Sequence, residues 1–213
     1  MKDNINKILI NIITRTGSRP KYFKTLLNSL NNQTYKNYRH IISNDNINCE
    51  YLNDLNDVYF IDKSNIKHIR NYYNLYLDIL SSKCTDGWII IIDDDAKFID
   101  NKFLEKLSKF LENCTKNDVL VYQTKIDNKI LPSRKDMNNK FIRRCGVDMC
   151  CFCVHHTTLK DITFKSVVTK SDGCHCGDYK ILSKMQNSGK YNFKFINISL
   201  GIWGNYDGQK LGK

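Results

Sequence analysis

The order of hydrophobic periods along this chain describes an α/β protein with a central, mainly parallel sheet flanked by helices. Short β-branched or apolar runs alternate with segments of helical spacing up to residue 124, the pattern of strand–helix–strand units. One run, residues 88–92 (WIIII), is apolar without a break, as in a strand buried on both faces. Three of the runs end in polar or acidic residues, which is where a parallel sheet gathers its ligand.

Residues 7–14 (KILINIIT) form the first predicted strand and stop at the loop RTGSRP. Pro20 suits the first turn of a helix, where a missing N–H costs nothing, and Ser18 suits its cap. Apolar residues at 23, 26, 27 and 30 continue at helical spacing. A second strand is expected at 38–43, ending in Asn44-Asp45-Asn46, and a weak one at 58–61. Ile69, Tyr72, Tyr73, Tyr76, Leu77 and Leu80 then mark one face of a helix. The strand at 88–92 runs directly into Asp93-Asp94-Asp95, and a helix at 102–111 and a strand at 119–124 follow. If the sheet is parallel, the loops after residues 14, 43 and 92 share one rim, which brings Arg15, Asp45 and Asp93 to Asp95 together.

The second half is less regular. Residues 125–146 are polar and basic, contain Pro132 and have few periodic apolar positions, so a loop or hairpin on the sheet rim is expected. A strand at 147–154, a short helix at 178–187 and a late strand at 193–200 complete the reading, without an internal repeat.

With 213 residues, 41% hydrophobic and 26% charged, the chain has globular composition and the length of one domain, 1–213. Its formal charge of +11 admits polyanionic partners. No basic run, zipper heptad or RNA-binding aromatic signature accompanies that charge, so no specific nucleic acid partner is expected. The abundance of Lys, Asn and Ile fits the coding bias of an AT-rich genome, which raises charge without a functional reason. The sequence has no transmembrane segment and no signal peptide at its start, which suggests a soluble, cytoplasmic protein, in the host's cytoplasm if the chain is viral. Nine cysteines, an odd number, suit a reducing compartment without a disulfide framework.

Three adjacent carboxylates repel one another, and a divalent cation removes that penalty. Side chains alternate at a strand end, so Asp93 and Asp95 can address one ligand while Asp94 points elsewhere. Hard oxygens suit Mn2+ or Mg2+, either of which can bridge two phosphates. A solvated acidic turn capping the next helix is the competing reading. The cysteines offer another: Cys150-x-x-Cys153 and Cys174-His175-Cys176, with His155 and His156 between them, have zinc-ligand types and part of the spacing. Their Cys-x-Cys half is not the usual knuckle, and buried thiols are expected instead.

The segment IITRTGSRPKYFKTLLNSLNNQTYKNYRHIISNDN resembles the opening of glycosyltransferase family 2 and related GT-A enzymes. In order, it has a strand, an Arg-Thr-x-x-Arg-Pro turn, a helix, a Gln-Thr-Tyr link and a strand ending in aspartate. Arg70-Asn71 resembles the family's Arg-Asn pair, and WIIIIDDDAKF its Asp-x-Asp (DXD) strand. Downstream, DGCHCGDYKILSKM resembles the element in which an acid opens a helix below the acceptor.

The resemblance implies a single GT-A (Rossmann-like) domain, with a nucleotide-sugar-binding half at about 1–100 and an acceptor-binding half at about 101–213. It implies a metal-dependent hexosyltransferase-like enzyme that moves a sugar from a nucleotide-diphosphate sugar, a UDP-sugar, to a hydroxyl of a glycan or other acceptor, with inversion. Carried over residue by residue, Thr14, Arg15, Thr16 and Asp45 face the base, and Arg19 stands in the same binding turn. Arg70 and Asn71 lie near the base or diphosphate, Asp93 contacts the ribose or metal, Asp94 completes the donor site, and Asp95 is the principal metal ligand. Asp178, after Gly177, is the general base, with Asp172 as its competitor and helix capping as the bland alternative. Trp203 and Tyr206 are candidates for stacking on a sugar. Where the family often has paired acids and a serine after the second strand, this chain has Ser43-Asn44-Asp45-Asn46, so the residue touching the base stays open. A nucleotidyltransferase and a zinc-dependent binding module are the alternatives; the first lacks an evident glycine-rich phosphate loop and signature lysine.

Overall fold

The computed structural model of the chain describes residues 8–62, 64, 72–126, 129–167 and 176–200. Its first half runs β1 (Ile10–Thr16), α1 (Pro20–Asn31), β2 (Tyr38–Asn44), β3 (Val58–Phe60), α2 (Leu75–Ser82), β4 (Trp88–Ile91) and α3 (Phe103–Leu111). Its second half runs β5 (Asp118–Ile126), β6 (Lys129–Leu131), α4 (Arg134–Asn138), β7 (Phe152–His155), α5 (His156–Asp161), α6 (Gly177–Asn187) and β8 (Asn192–Ser199).

Among the described residues the strands form one sheet in the order β3-β2-β1-β4-β7-β5-β6, with β8 paired to β5. The first four strands are parallel neighbours, as the alternation of strands and helices predicts. β7 enters antiparallel to both β4 and β5, and β8 lies parallel to β5. Direction in this second half is set by the β5–β6 hairpin and the loop that returns the chain, which hydrophobic periodicity does not register.

Side-chain alternation divides the core into two layers. Ile13, Ile89, Ile91, Val119 and Val121 face one side, where Leu77 and Leu80 of α2, Leu159 of α5 and Ile181, Leu182 and Met185 of α6 cover them. Ile10, Ile12, Ile90, Leu120 and Tyr122 face the other, under Leu26 and Leu30 of α1 and Phe103, Leu104 and Leu107 of α3. Strands covered twice must be apolar at every position, which is why β4 reads as an unbroken run.

Several local expectations need correction. β1 continues through Arg15 and Thr16, so these residues end a strand and do not lie in the following loop. Arg19, not Ser18, is the N-cap of α1, without a side-chain cap bond, and Ser18 Oγ accepts from Asn46 Nδ2 at 3.0 Å. The strand expected at 147–154 is a 3-10 turn, Met149–Cys151, followed by β7. Asp148 draws the chain into that turn by accepting the Cys150 N–H at 3.0 Å. The helix expected from Ile69 is described only from a 3-10 turn, Tyr72–Asn74, onward, and Ile69 lies outside the described residues. α4 was legible in Ser133-Arg134-Lys135-Asp136, a capping box in which Ser133 and Asp136 satisfy each other's backbone N–H. Among the described residues, no helix is long and apolar enough to cross a membrane.

Candidate active site

Parallel pairing of β2, β1 and β4 places Asn44, Thr16 and Ile91 at the same end of the sheet, so the segments that follow them meet at one rim. A cleft of about 650 Å3 opens there, lined by 15 residues. Part of the lining comes from the end of β1 (Arg15, Thr16) and the turn after it (Gly17, Ser18, Arg19), from Asp45 after β2, and from Asp93 and Asp95 after β4. The rest comes from Tyr73, Asn74 and Tyr76, from Asp148 and Met149, and from Gly177 and Asp178 at the start of α6.

Two arginines organise the aspartates. Arg15 donates from Nε and Nη2 to Asp93 Oδ1 at 3.1 and 2.5 Å, and from Nη1 to Asn74 Oδ1 at 2.9 Å. The Tyr73 ring stacks 5.0 Å from the same guanidinium. Arg19 pairs with Asp94 through Nη2 and with Asp95 Oδ2 through Nη1 at 2.7 Å. Asp94 also accepts the Thr16 hydroxyl at 2.7 Å, and its side chain is 0% exposed. Burial raises the Asp94 pKa to about 6 against the opposing pull of Arg19 and Thr16. Asp93 and Asp95 keep contact with solvent, their side chains being 34% and 22% exposed.

Asp178 lines the same cleft from the first turn of α6, accepting the Tyr179 N–H at 2.8 Å. Burial, with smaller contributions from the charges of Asp148 and Asp93, lifts its pKa to about 7. Burial also raises Asp148, with Asp93 adding to the shift. Two glycines permit close approach. A Cβ at Gly17 would come within 2.5 Å of Asp45 Oδ1, and one at Gly177 within 2.5 Å of Asn74 Nδ2. Asn74 therefore lies between Arg15 and the start of α6.

Of the residues singled out in the sequence, Arg15, Thr16, Arg19, Asp45, Asp93, Asp95 and Asp178 line this cleft together. Thr14 does not: it is 0% exposed, with Oγ1 2.9 Å from His40 Nε2, because its position in β1 turns inward. Asp94 likewise lies behind the lining, as a buried partner of Arg19 and Thr16. Arg70, Asn71, Asp172, Cys174, His175, Trp203 and Tyr206 lie outside the described residues. Sequence reading missed Tyr73, Asn74, Tyr76, Asp148 and Met149. Tyr76 donates to Asp45 Oδ2 at 3.1 Å, a role hidden because the tyrosines read as one apolar helix face. Cys150 and Cys153 are buried in an apolar layer, and Cys176 lies instead beside Cys145, Sγ to Sγ 3.7 Å.

Asp93 and Asp95 suit a small divalent cation. Each gives one oxygen to arginine, Oδ1 of Asp93 and Oδ2 of Asp95, and keeps a second. Among the described residues no three His, Cys, Asp or Glu side chains are grouped for a metal. Mg2+ and Mn2+ sites at phosphates commonly use one or two carboxylates, the remaining ligands being water and substrate oxygens. The lining also carries five carboxyl groups (Asp45, Asp93, Asp95, Asp148, Asp178) against two guanidiniums (Arg15, Arg19). A polyanionic ligand would meet net repulsion there without a cation.

The family model described as Glycosyl transferase family 2 matches residues 11–185. No curated protein matches the chain. Among solved structures, S. aureus TarS 1-349 is similar at a TM-score of 0.64 and 13% identity, over 92% of this chain and 60% of that one. Its complex with UDP-GlcNAc is similar at a TM-score of 0.63 and 13% identity, over 92% and 58%. Its complex with UDP matches at 0.62 and 14%, over 90% and 61%. The chain thus spans about three fifths of the length of these TarS fragments. Identities this low carry the fold alone, and that fold is the α/β arrangement described above.

Proposed function

The chain belongs to glycosyl transferase family 2 and is a glycosyltransferase of GT-A fold, and we propose that it transfers a sugar from a UDP-sugar to an acceptor hydroxyl. The proposal includes a divalent cation, Mn2+ or Mg2+, held by Asp93 and Asp95, and inversion at the anomeric carbon. Residues 1–213 are read as one domain, with the donor bound by the first half and the acceptor by the second.

The observation that carries this reading is one cleft whose lining gathers Arg15, Arg19, Asp93 and Asp95, beside the ends of β1 and β4, with Asp178 at the start of α6. A volume of about 650 Å3 falls within the range of small-molecule sites. The UDP and UDP-GlcNAc complexes of TarS support the choice of nucleotide. A bound cation would supply positive charge for the departing diphosphate.

This chain's own residues do the rest. Arg15 and Arg19 fix the orientation of Asp93 and Asp95, so the carboxylates are preorganised before ligand arrives. Asp178 accepts the acceptor's hydroxyl proton as the oxygen bonds to the anomeric carbon and the bond to the diphosphate oxygen breaks. A carboxylate with a pKa of about 7 is a stronger base than an ordinary one and is still substantially ionised near neutral pH. Asp172 competes for this role and is separated from it by mutation.

A thermal-shift panel of nucleotide sugars with and without Mn2+ tests the reading, because a ligand of the native state raises apparent stability. UDP-sugars should shift the melting temperature only with Mn2+ present. A metal-independent shift would remove the cation from the proposal, and no shift with any nucleotide sugar would remove the donor.

A further inference from the structure

Residues 125–144 carry seven Lys and Arg side chains against two aspartates. All seven are exposed. Asp136 pairs with one of them, Arg143 Nε at 2.8 Å, and is otherwise committed to the Ser133 cap. Lys125, Lys129, Arg134, Lys135 and Lys140 form no ion pair with a described residue.

Coding bias would scatter lysines evenly, and three observations set this stretch apart. It is one tied unit: β6 pairs with the end of β5, and the Phe141 N–H returns to Asp136 O at 3.0 Å. It abuts the cleft, since Cys145 lies against Cys176, the residue before the helix that presents Asp178, and the chain then enters the cleft at Asp148. Apolar surface stands among the charges, Phe141 and Ile130 being 54% and 51% exposed. Lys140 and Cys145 hold φ of 52° and 58°, a left-handed backbone unfavourable for non-glycine residues, so the intervening loop is fixed in shape by its contacts.

We infer that Lys125 and residues 129–144 form the docking surface for an anionic acceptor, a glycan bearing phosphate groups along its chain, whose hydroxyl is led from this surface to Asp178. Lys and Arg meet the phosphates, and Phe141 offers a ring face to sugar. The inference rests on the glycosyltransferase reading. Nucleic acid shares the phosphate chemistry, but a stiff duplex does not feed a single hydroxyl into a cleft as a flexible glycan does.

The experiment measures binding of phosphomannan, neutral mannan and duplex DNA to the full chain at two salt concentrations, with UDP-GlcNAc hydrolysis followed in parallel. Phosphomannan should bind more tightly than mannan, and added salt should weaken it. The combined variant Lys129→Ser, Arg134→Ser, Lys135→Ser and Lys140→Ser leaves Ser133 and Asp136 in place. It should lose about tenfold or more in phosphomannan affinity and show a shallower salt dependence, with hydrolysis unchanged. A control, Lys24→Ser, Lys36→Ser, Lys102→Ser and Lys116→Ser, removes the same charge elsewhere and should keep most of the affinity. Equal losses in the two variants, or equal binding of mannan and phosphomannan, would overturn the inference while leaving donor chemistry intact. Patch-dependent binding that prefers duplex DNA would overturn it in favour of a nucleic-acid surface. Absence of both donor binding and hydrolysis in the wild type would remove the glycosyltransferase reading, and the acceptor role with it.

Discussion

Arg15 and Asp93 are joined through one carboxylate oxygen, Oδ1, which accepts from both Nη2 and Nε of the guanidinium. The contact ties the carboxyl end of β1 to that of β4 and leaves the second oxygen of Asp93 for a ligand. Burial works against the Arg15 charge, and the Asp93 charge and hydrogen bond more than offset it, so the guanidinium pKa is raised.

Arg15→Lys tests that geometry with the charge retained. An ammonium cannot reproduce a planar fork that serves Asp93 and Asn74 together. With hydrogen bonds to charged groups contributing about 1.5–3 kcal/mol each, UDP-GlcNAc affinity with Mn2+ should fall about tenfold or more. Calorimetry measures it, and an unchanged dissociation constant would show that Arg15 does not organise the donor site.

Neighbouring aspartates should respond in opposite ways. Asp95→Ala removes a partly exposed carboxylate, and its expected effect is loss of Mn2+-dependent donor binding with little change in melting temperature. Asp94→Ala removes the buried acceptor of the Thr16 hydroxyl and one of the two carboxylates on Arg19, and loss of a buried hydrogen-bond partner costs about 1–3 kcal/mol. Urea unfolding and donor titration on both variants decide it. Donor binding lost in Asp94→Ala without loss of stability would place Asp94 among the ligand contacts after all.

The cysteines should behave as thiols. Cys150, Cys151 and Cys153 are fully buried in the core, and burial raises the pKa of each. A strong chelator should therefore leave the native protein folded, and iodoacetamide should label Cys145, the exposed thiol among the described cysteines, ahead of these three. Stoichiometric zinc whose removal unfolds the chain would reverse this assignment.

Much of the lining around Arg15, Asp93 and Asp95 was legible because the strands that build it are buried on both faces. A doubly covered strand must be apolar throughout, so the abrupt change from Ile92 to Asp93-Asp94-Asp95 marks a strand end without knowledge of the fold. The remaining lining was harder to read. Asn74 and Tyr76 owe their roles to distant partners, Arg15 and Asp45, which no local period reports. Asp148 sits in a 3-10 turn that hydrophobicity presented as the start of a strand. Thr14 and Asp94 stand behind the lining for a different cause: near a strand end, residue type says that a side chain is polar, and only the register says which way it turns.

Asp178 joins stability to function through its proton. Its pKa is about 7 in the folded chain, against 3.8 for an ordinary aspartate, because burial disfavours the carboxylate and Asp148 and Asp93 add repulsion. The folded state therefore holds this proton more tightly than the unfolded state. As pH rises from about 4 to about 7 the group costs the fold an increasing amount, and above that the cost is complete. Asp178→Asn is neutral at every pH and its Oδ1 can still accept the Tyr179 N–H, while the N-cap of α6, Cys176, is untouched. Its melting temperature, measured without metal, should exceed the wild-type value at pH 8, and the difference should close as pH falls toward 4. Transfer should move the other way. Loss of a general base costs roughly 100-fold or more in turnover, with donor affinity nearly unchanged, and the wild-type rate should rise with pH through about 7 as Asp178 ionises. The stabilisation at high pH follows from burial alone, so the loss of turnover is what separates a general base from a residue with a purely structural place. If Asp178→Asn transfers sugar at the wild-type rate while Asp172→Asn does not, the base is Asp172, and the raised pKa of Asp178 reflects burial without chemistry.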